Sequence, residues 1–163
     1  LFIIDIFNAL LKKEANARLL IIGDGNLREA MLARVNEYGI KDHVLYLGRR
    51  EDIPQFYNAM DCFLLPSLYE GLPVVGVEAE NCGLPMFFST EIPEESSACK
   101  DLGVFMSLEE SPDEWADAIL KAVKKNMPIR KGKTESIKAA GFDSRIEANK
   151  LLEYYEELIA LRT

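Results

Sequence analysis

Short apolar runs recur along the chain at intervals of about twenty residues, and each is followed by a polar or glycine-containing segment. These runs lack strict alternation of apolar and polar residues, which is typical of strands covered on both faces in a parallel sheet. We therefore predict five strands, at Leu19–Gly23, Val44–Gly48, Cys62–Pro66, Met86–Ser89 and Val104–Met106.

Between these runs, apolar residues return every three or four positions, as they do on one face of a helix. This pattern predicts helices at residues 1–14, Leu27–Tyr38, Ile53–Ala59, Pro73–Cys82, Pro112–Lys125 and Ser144–Arg162. Ser111 and Glu114 have the spacing of a capping box, and Asp143 can cap the last helix. The basic stretch at residues 124–133 is predicted to be a surface loop.

The alternation of strands and helices predicts an α/β protein with a Rossmann-like open parallel sheet and helices on both faces. A helix precedes the first predicted strand. The same alternation therefore predicts a further strand upstream of Leu1, so that the 163 residues are expected to be a fragment. Their number is that of one ordinary domain.

The amino-acid composition disfavours several classes of function. With 19 basic and 27 acidic side chains the net charge is −8, which disfavours nucleic acid as a partner. No apolar run approaches the roughly 20 residues that cross a bilayer. The three cysteines lack a C-x-x-C spacing and favour a reducing cytosol, while scattered acids and a single histidine, His43, predict neither a metal site nor a histidine-based nucleophile.

Ligands of open parallel sheets bind beyond the carboxyl ends of the strands. Gly23-Asp24-Gly25 follows the first strand, but Arg28 stands where a dinucleotide fingerprint has its third glycine. We interpret Gly23 and Gly25 as a structural turn near a ligand cleft, with direct phosphate binding as the alternative. The second strand ends at Gly48 and is followed by Arg49 and Arg50, without an acidic ribose ligand. This weighs against NAD and leaves NADP as a minor alternative.

The segment after the third predicted strand, residues 66–85, carries the strongest signal. Gly71 and Leu72 precede Pro73, which suits the first position of a helix. The amides of Gly71, Leu72 and Val74 are then free at the positive end of that helix, and Gly71 lets a ligand approach the backbone. This end of the helix is predicted to bind a phosphate or diphosphate.

Two acids flank this predicted anion site, Glu70 before it and Glu78 on the second turn of the helix, with seven residues between them. A carboxylate beside a phosphate is repelled, so both acids are better placed against hydroxyl groups. We predict that Glu70 meets a sugar and Glu78 a ribose. For either acid alone, a solvated surface residue is an equally good interpretation.

The segment PSLYEGLPVVGVEA, continuing into NCGLP, resembles the signature of the retaining, nucleotide-sugar-dependent glycosyltransferases of the GT-B fold, known as family 4 or group 1. LLIIGDGNLR, HVLYLGRREDIPQFYNAMDCFLLPS and EWADAI fit the C-terminal domain of that family in order and spacing. The details are most similar to bacterial enzymes that build capsular or exopolysaccharide.

The resemblance implies a catalytic role beside the transferred sugar for Glu70, diphosphate contacts at Gly71, Leu72, Pro73 and Val74, and ribose binding by Glu78. It also implies that the backbone at Arg49 borders the base. Residues 1–163 would then be the donor-binding domain, which takes a UDP- or GDP-sugar without a metal or other cofactor. An N-terminal acceptor domain would lie outside these residues.

With that domain absent, we expect no turnover from the fragment alone. The implied enzyme is cytoplasmic, or peripheral at the inner face of the membrane through the missing domain, with a lipid-linked saccharide as a candidate acceptor. Two alternatives remain, a nucleotide-sugar-binding module without catalysis and a nucleotide-sugar epimerase on the same fold.

Overall fold

The computed structural model describes residues 1–126 and 130–161 of the chain. Five strands are formed, β1 (Leu19–Ile22), β2 (Val44–Gly48), β3 (Phe63–Leu65), β4 (Met86–Ser89) and β5 (Gly103–Met106). The helices in this part of the chain are α1 (Phe2–Lys13), α2 (Arg28–Glu37), α3 (Ile53–Ala59), α4 (Val74–Asn81), α5 (Pro112–Asn126), α6 (Thr134–Ala139) and α7 (Ser144–Ala160). Short 3-10 turns lie at Lys41–His43 and Glu94–Ser96.

All strand pairings in the described residues are parallel, as predicted. Backbone hydrogen bonds group the strands into two sheets, one of β1 and β2 and one in the order β3-β4-β5. Within residues 1–126 and 130–161, no ladder joins β1 to β3. The carboxyl ends of the paired strands in each sheet lie at one edge, where the loops with the candidate site residues begin.

Helices cover both faces of the three-stranded sheet. Successive side chains of β4 point to opposite faces, so their contacts show which helices lie on each face. Met86 and Phe88 pack on one side with Tyr57 of α3 and Ala79 of α4. All four side chains are buried. This face carries α4, the helix that follows the candidate anion-binding loop.

Phe87 points to the other face of β4 and packs against Ile6 of α1 and Trp115 of α5. The Trp115 indole is fully buried and donates its Nε1–H to the carbonyl oxygen of Ser107 at 3.0 Å. Burial of an aromatic ring of this size contributes a large share of the hydrophobic stabilisation. The α/β architecture with helices on both faces is thus confirmed.

Helix α1 joins the two sheets through its buried side chains. Ile4 and Phe7 pack with Leu19 of β1, whereas Ile6 packs with the β4 side chain Phe87. Helix α1 has apolar residues on more than one side. This is typical of a helix that is buried among several elements, and not of a helix on the protein surface. The relative placement of the two sheets therefore depends on α1.

Helix ends agree with the capping signals in the sequence. The Ser111 backbone N–H donates to Glu114 Oε2 at 2.8 Å, and the Glu114 N–H donates to Ser111 Oγ at 3.3 Å. Asp143 Oδ1 accepts from the N–H groups of Arg145 and Ile146. The predicted end of the last helix, Arg162, lies outside the described residues.

The predicted surface loop at residues 124–133 is wrong in part. Helix α5 continues to Asn126, and residues 127–129 lie outside the described part of the chain. Arg130 is half-buried, and its guanidinium donates to the carbonyl oxygens of Tyr57 and Met60 near the end of α3. The reason is that the last carbonyl groups of a helix have no partner within it, and a nearby cation satisfies them.

Candidate functional site

The loop from Pro66 to Pro73 connects the end of β3 to the first residue of α4. Pro73, predicted at the first helical position, is instead the residue before it, with φ −75° and ψ 98°. Its extended ψ keeps it out of the helix, while its carbonyl oxygen accepts the Gly76 N–H at 2.8 Å. The helix start is thus displaced by one residue from the prediction.

Backbone amides are open at this end of α4. Gly71, Leu72 and Val74 are exposed, and in the part of the chain that the structure describes their N–H groups donate no hydrogen bond. The positive end of a helix dipole lies where these N–H groups are, so an anion is favoured there. The arrangement has the geometry of an anion-binding helix start.

The two predicted acids flank this helix start along the chain. Glu70 is half-buried in the loop, and Glu78 is exposed on the second turn of α4. The hydroxyl of Tyr57, a buried residue of α3, donates to Glu78 Oε2 at 2.9 Å. Burial, and then the hydrogen bond to Glu78, raise the pKa of Tyr57 well above its usual value. Tyr57 therefore remains a hydrogen-bond donor to Glu78 at neutral pH.

Close packing holds α4 against the sheet. A Cβ placed on Gly76 would lie 3.2 Å from ring atoms of Phe88 on β4. Contacts this short leave little room for a methyl group in a close-packed interior. Gly76 therefore lets the first turn of α4 approach β4 closely.

The loops after β1 and β2 touch each other at the carboxyl ends of these strands. The Gly23 N–H donates to the Gly48 carbonyl oxygen at 2.8 Å, and both glycines have positive φ. Asp24 Oδ1 accepts from the Tyr46 hydroxyl at 2.9 Å and from the Gly25 N–H at 3.0 Å. These two bonds, the one from Tyr46 first, lower the pKa of Asp24.

Arg49 is exposed beside this turn, and no hydrogen bond or ion pair links Gly23, Gly25 or Arg49 to Gly71–Val74 among the described residues. Helix α3 lies between the two regions along the chain. Arg50 forms a bidentate pair with Asp52 and lies over the ring of Phe56, at 5.4 Å from its centroid. Tyr57, the next residue of α3, then reaches Glu78.

Sequence reasoning missed the residues that support the site. Tyr57 and Tyr46 lie in apolar stretches, where a hydroxyl gives no periodic signal. Glu80, which directs its carboxylate into the protein, is not among the predicted site residues. Only its spacing of two residues from Glu78, which places the two on different sides of a helix, distinguishes it.

Residues 1–126 and 130–161 contain no group of three or more His, Cys, Asp or Glu side chains that could hold a metal ion. Cys99 is buried, and burial raises its thiol pKa to about 11, which makes it a poor nucleophile. No helix in these ranges has both the length and the apolar character needed to cross a membrane.

Solved structures place the fold among known proteins. The chain superposes on Anabaena HepE, crystallised in complex with UDP, with a TM-score of 0.76 and 21% identity over 94% of this chain and 44% of HepE. For sucrose-phosphate synthase from Thermosynechococcus elongatus the TM-score is 0.73, with 22% identity over 97% of this chain and 42% of the synthase. The fold is the α/β Rossmann-like fold of the GT-B glycosyltransferases.

The sequence defines the family. The family model described as glycosyl transferases group 1 matches residues 1–125, and the chain belongs to this family. EpsF of Bacillus subtilis (strain 168) is 33% identical over 154 residues, which are 94% of this chain and 40% of EpsF. The UDP-Gal:alpha-D-GlcNAc-diphosphoundecaprenol alpha-1,3-galactosyltransferase of Escherichia coli is 41% identical over 71 residues, 43% of this chain and 18% of that enzyme. The chain thus spans less than half the length of these relatives.

Proposed function

We propose that the protein is a glycosyltransferase that moves a sugar from a nucleoside-diphosphate sugar to a hydroxyl acceptor with retention of configuration. In this proposal, residues 1–163 supply the donor site. The observation that carries it is the open helix start at Gly71–Val74, with Glu70 before it and Glu78 after it along the chain. An anion site between two hydrogen-bond acceptors suits a diphosphate between a sugar and a ribose.

Catalysis at such a site is mainly electrostatic. Negative charge grows on the leaving diphosphate in the transition state, and amides that are already oriented stabilise it without reorganising. We propose that the N–H groups of Gly71, Leu72 and Val74 do this without a metal ion. Glu70 orients the sugar and stabilises positive charge at its ring, and Glu78 accepts hydrogen bonds from the ribose.

The names of related proteins support a donor and an acceptor class. HepE was crystallised with UDP, and the E. coli relative uses UDP-galactose and a saccharide linked to diphosphoundecaprenol. We propose a UDP-sugar donor, with a GDP-sugar as the alternative, and a lipid-linked saccharide acceptor in bacterial cell-surface polysaccharide synthesis such as capsule. A cytoplasmic enzyme that works at the inner face of the membrane fits such an acceptor.

The strand edges of β1 and β3 that lack a partner among the described residues support a proposal about the domain organisation. Because β1 and β3 each pair on one side only among the described residues, and α1 packs against both sheets, a further strand beside them would complete one continuous parallel sheet. We propose that polypeptide outside residues 1–163 supplies this strand and an acceptor-binding domain. The chain alone then binds donor without transferring sugar.

Binding of nucleoside diphosphates to the chain tests the function directly. We expect UDP or GDP to raise its Tm, since a ligand that binds only the native state stabilises it. Glu78→Ala is expected to weaken calorimetric affinity roughly tenfold, as for loss of hydrogen bonds to a charged group. The exposed Glu153 on α7 is the matched control, and Glu153→Ala should bind like the parent. Equal affinity of all three proteins would refute the ribose role of Glu78.

A further inference from the structure

Glu80 is a fully buried carboxylate on α4, two residues beyond Glu78. Its Oε1 accepts the Ser97 hydroxyl at 2.5 Å, and its Oε2 accepts the backbone N–H groups of Ala98 at 2.7 Å and Cys99 at 3.1 Å. No Lys or Arg forms an ion pair with it among the residues that the structure describes. Three donors from one turn of the chain thus hold this acid.

The same turn reaches the candidate diphosphate loop. Ser96, directly before Ser97, is buried, and its Oγ lies 3.5 Å from the carbonyl oxygen of Gly71. Ser97 in turn fits against Gly103 of β5, where an added Cβ would lie 2.3 Å from the Ser97 Oγ. Residues 96–99, which we name the brace turn, therefore contact both α4 and the loop that precedes it.

Packing alone does not require an acid at position 80. The neighbouring cluster of Val77, Cys99, Leu102 and Ile137 is apolar, and burying a carboxylate without a cation costs solvation free energy. Burial raises the pKa of Glu80 although the bonds from Ser97, Cys99 and Ala98 oppose the rise, and the nearby Asp101 raises it further. Asp101 itself pairs with Lys133 at 2.6 Å. The gain that offsets this cost is directional hydrogen bonding to the brace turn.

We propose that Glu80 is a positioning residue of the donor site, a role that rests on the proposed function. On one side of α4, Tyr57 bonds Glu78; on another, Glu80 bonds the brace turn. Together they fix the rotation of α4 about its axis. Through Ser96, the brace turn also sets where the Gly71 carbonyl, and hence the adjoining amides, lie. Glu80 controls how well those amides meet a diphosphate without touching the ligand.

Three single variants and the double variant Glu80→Ala/Ser96→Ala test this coupling. Glu80→Ala removes the acceptor, Glu80→Gln keeps one carbonyl oxygen for the turn, and Ser96→Ala removes the hydroxyl near Gly71. Calorimetry with UDP, GDP and ADP is measured on the full chain, together with hydrogen exchange of the Gly76 amide, whose N–H donates to the Pro73 carbonyl oxygen at 2.8 Å at the start of α4. Ile119→Ala in the α1–α5 core is the control for general destabilisation.

We expect Glu80→Ala to weaken nucleoside-diphosphate binding roughly tenfold and Ser96→Ala roughly threefold, as for hydrogen bonds that act through an intermediate. Glu80→Gln should recover most of the affinity, and the double variant should bind no more weakly than Glu80→Ala. Exchange of the Gly76 amide should accelerate in Glu80→Ala and Ser96→Ala, but not in Ile119→Ala, because a displaced helix start loses the bond from Gly76 to Pro73.

Unchanged exchange of the Gly76 amide in Glu80→Ala and Ser96→Ala would overturn the positioning role of Glu80, whether or not a nucleotide binds. An equal loss of affinity in Ile119→Ala would also overturn it, because the effect would then be one of stability. If the parent chain binds none of the three nucleotides, the proposed function fails. The exchange measurement still decides the brace in that case, so the two failures are distinguishable.

Discussion

At the scale of single residues, the candidate site depends on how its acids are held. Glu78 is exposed, yet one of its oxygens accepts the hydroxyl of the buried Tyr57 at 2.9 Å. A surface carboxylate is otherwise free to rotate, and fixing it beforehand lowers the entropic cost of binding. Glu70 differs, because no hydrogen bond fixes it among the described residues. We therefore expect substitutions of Glu78 and of Glu70 to have different effects.

Tyr57→Phe removes only the hydroxyl and keeps the ring that packs against Phe63, with ring centroids 5.9 Å apart. We expect UDP or GDP to bind about three- to tenfold more weakly, because Glu78 loses one hydrogen bond to a charged group. Calorimetry checks the affinity, and urea unfolding checks that the core is retained. Phe63→Leu is the matched control for aromatic packing. An affinity equal to that of the parent chain would contradict the orienting role of Tyr57.

Glu70→Gln is expected to act on turnover. The change keeps the size of the side chain and removes its charge, which we propose to stabilise the sugar in the transition state. In the complete enzyme, kcat should fall roughly 100-fold, as for loss of one electrostatic contact in an active site. Donor affinity should change by less than about threefold, because such a contact strengthens mainly in the transition state. A large rise in donor Kd with unchanged kcat would assign Glu70 to binding alone.

At the scale of elements, the features that the sequence predicts well are those with a local physical signal. All five strands are where their apolar runs are, and the capping box at Ser111 and the N-cap Asp143 start helices α5 and α7. Helix α6 was missed because it is short and polar, with one buried side chain, Ile137. The Glu80 contacts could not be predicted, since they join residues 17 to 19 positions apart that only the fold brings together.

The capping box of α5 predicts a pH dependence. The backbone N–H of Ser111 first, and then its hydroxyl, lower the pKa of Glu114 below its ordinary 4.5. A lowered pKa means that the contribution to stability is present above about pH 4.5 and is lost as pH falls through the folded-state value. Glu114→Gln should therefore lower Tm by about 1–3 °C at pH 7, and the difference should shrink towards pH 3. Thermal unfolding checks it against the exposed Glu109→Gln. A pH-independent difference would contradict the assignment.

At the scale of the whole molecule, the division of the five strands into two sheets supports the proposed domain organisation. β4 has a partner strand on each side and is fully buried, whereas β1 and β3 each have one partner in the described residues. Open edges of apolar strands such as Leu19–Ile22 and Phe63–Leu65 attract another strand. The α1 helix packs against both sheets and is connected directly to β1, as in the crossover of a β-α-β unit, which is almost always right-handed.

Hydrogen exchange checks this organisation. In residues 1–163, amides of β4 should exchange more slowly than those of β1 and β3, because an unpaired edge leaves its N–H groups open to water. In a longer polypeptide that supplies the proposed strand, protection should rise in β1 and β3 and stay constant in β4. Helix α5, which packs on the other side of α1, is the internal control. Equal protection of all three strands in the chain alone would mean that the edge amides of β1 and β3 are already hydrogen-bonded, and that no further strand belongs beside them.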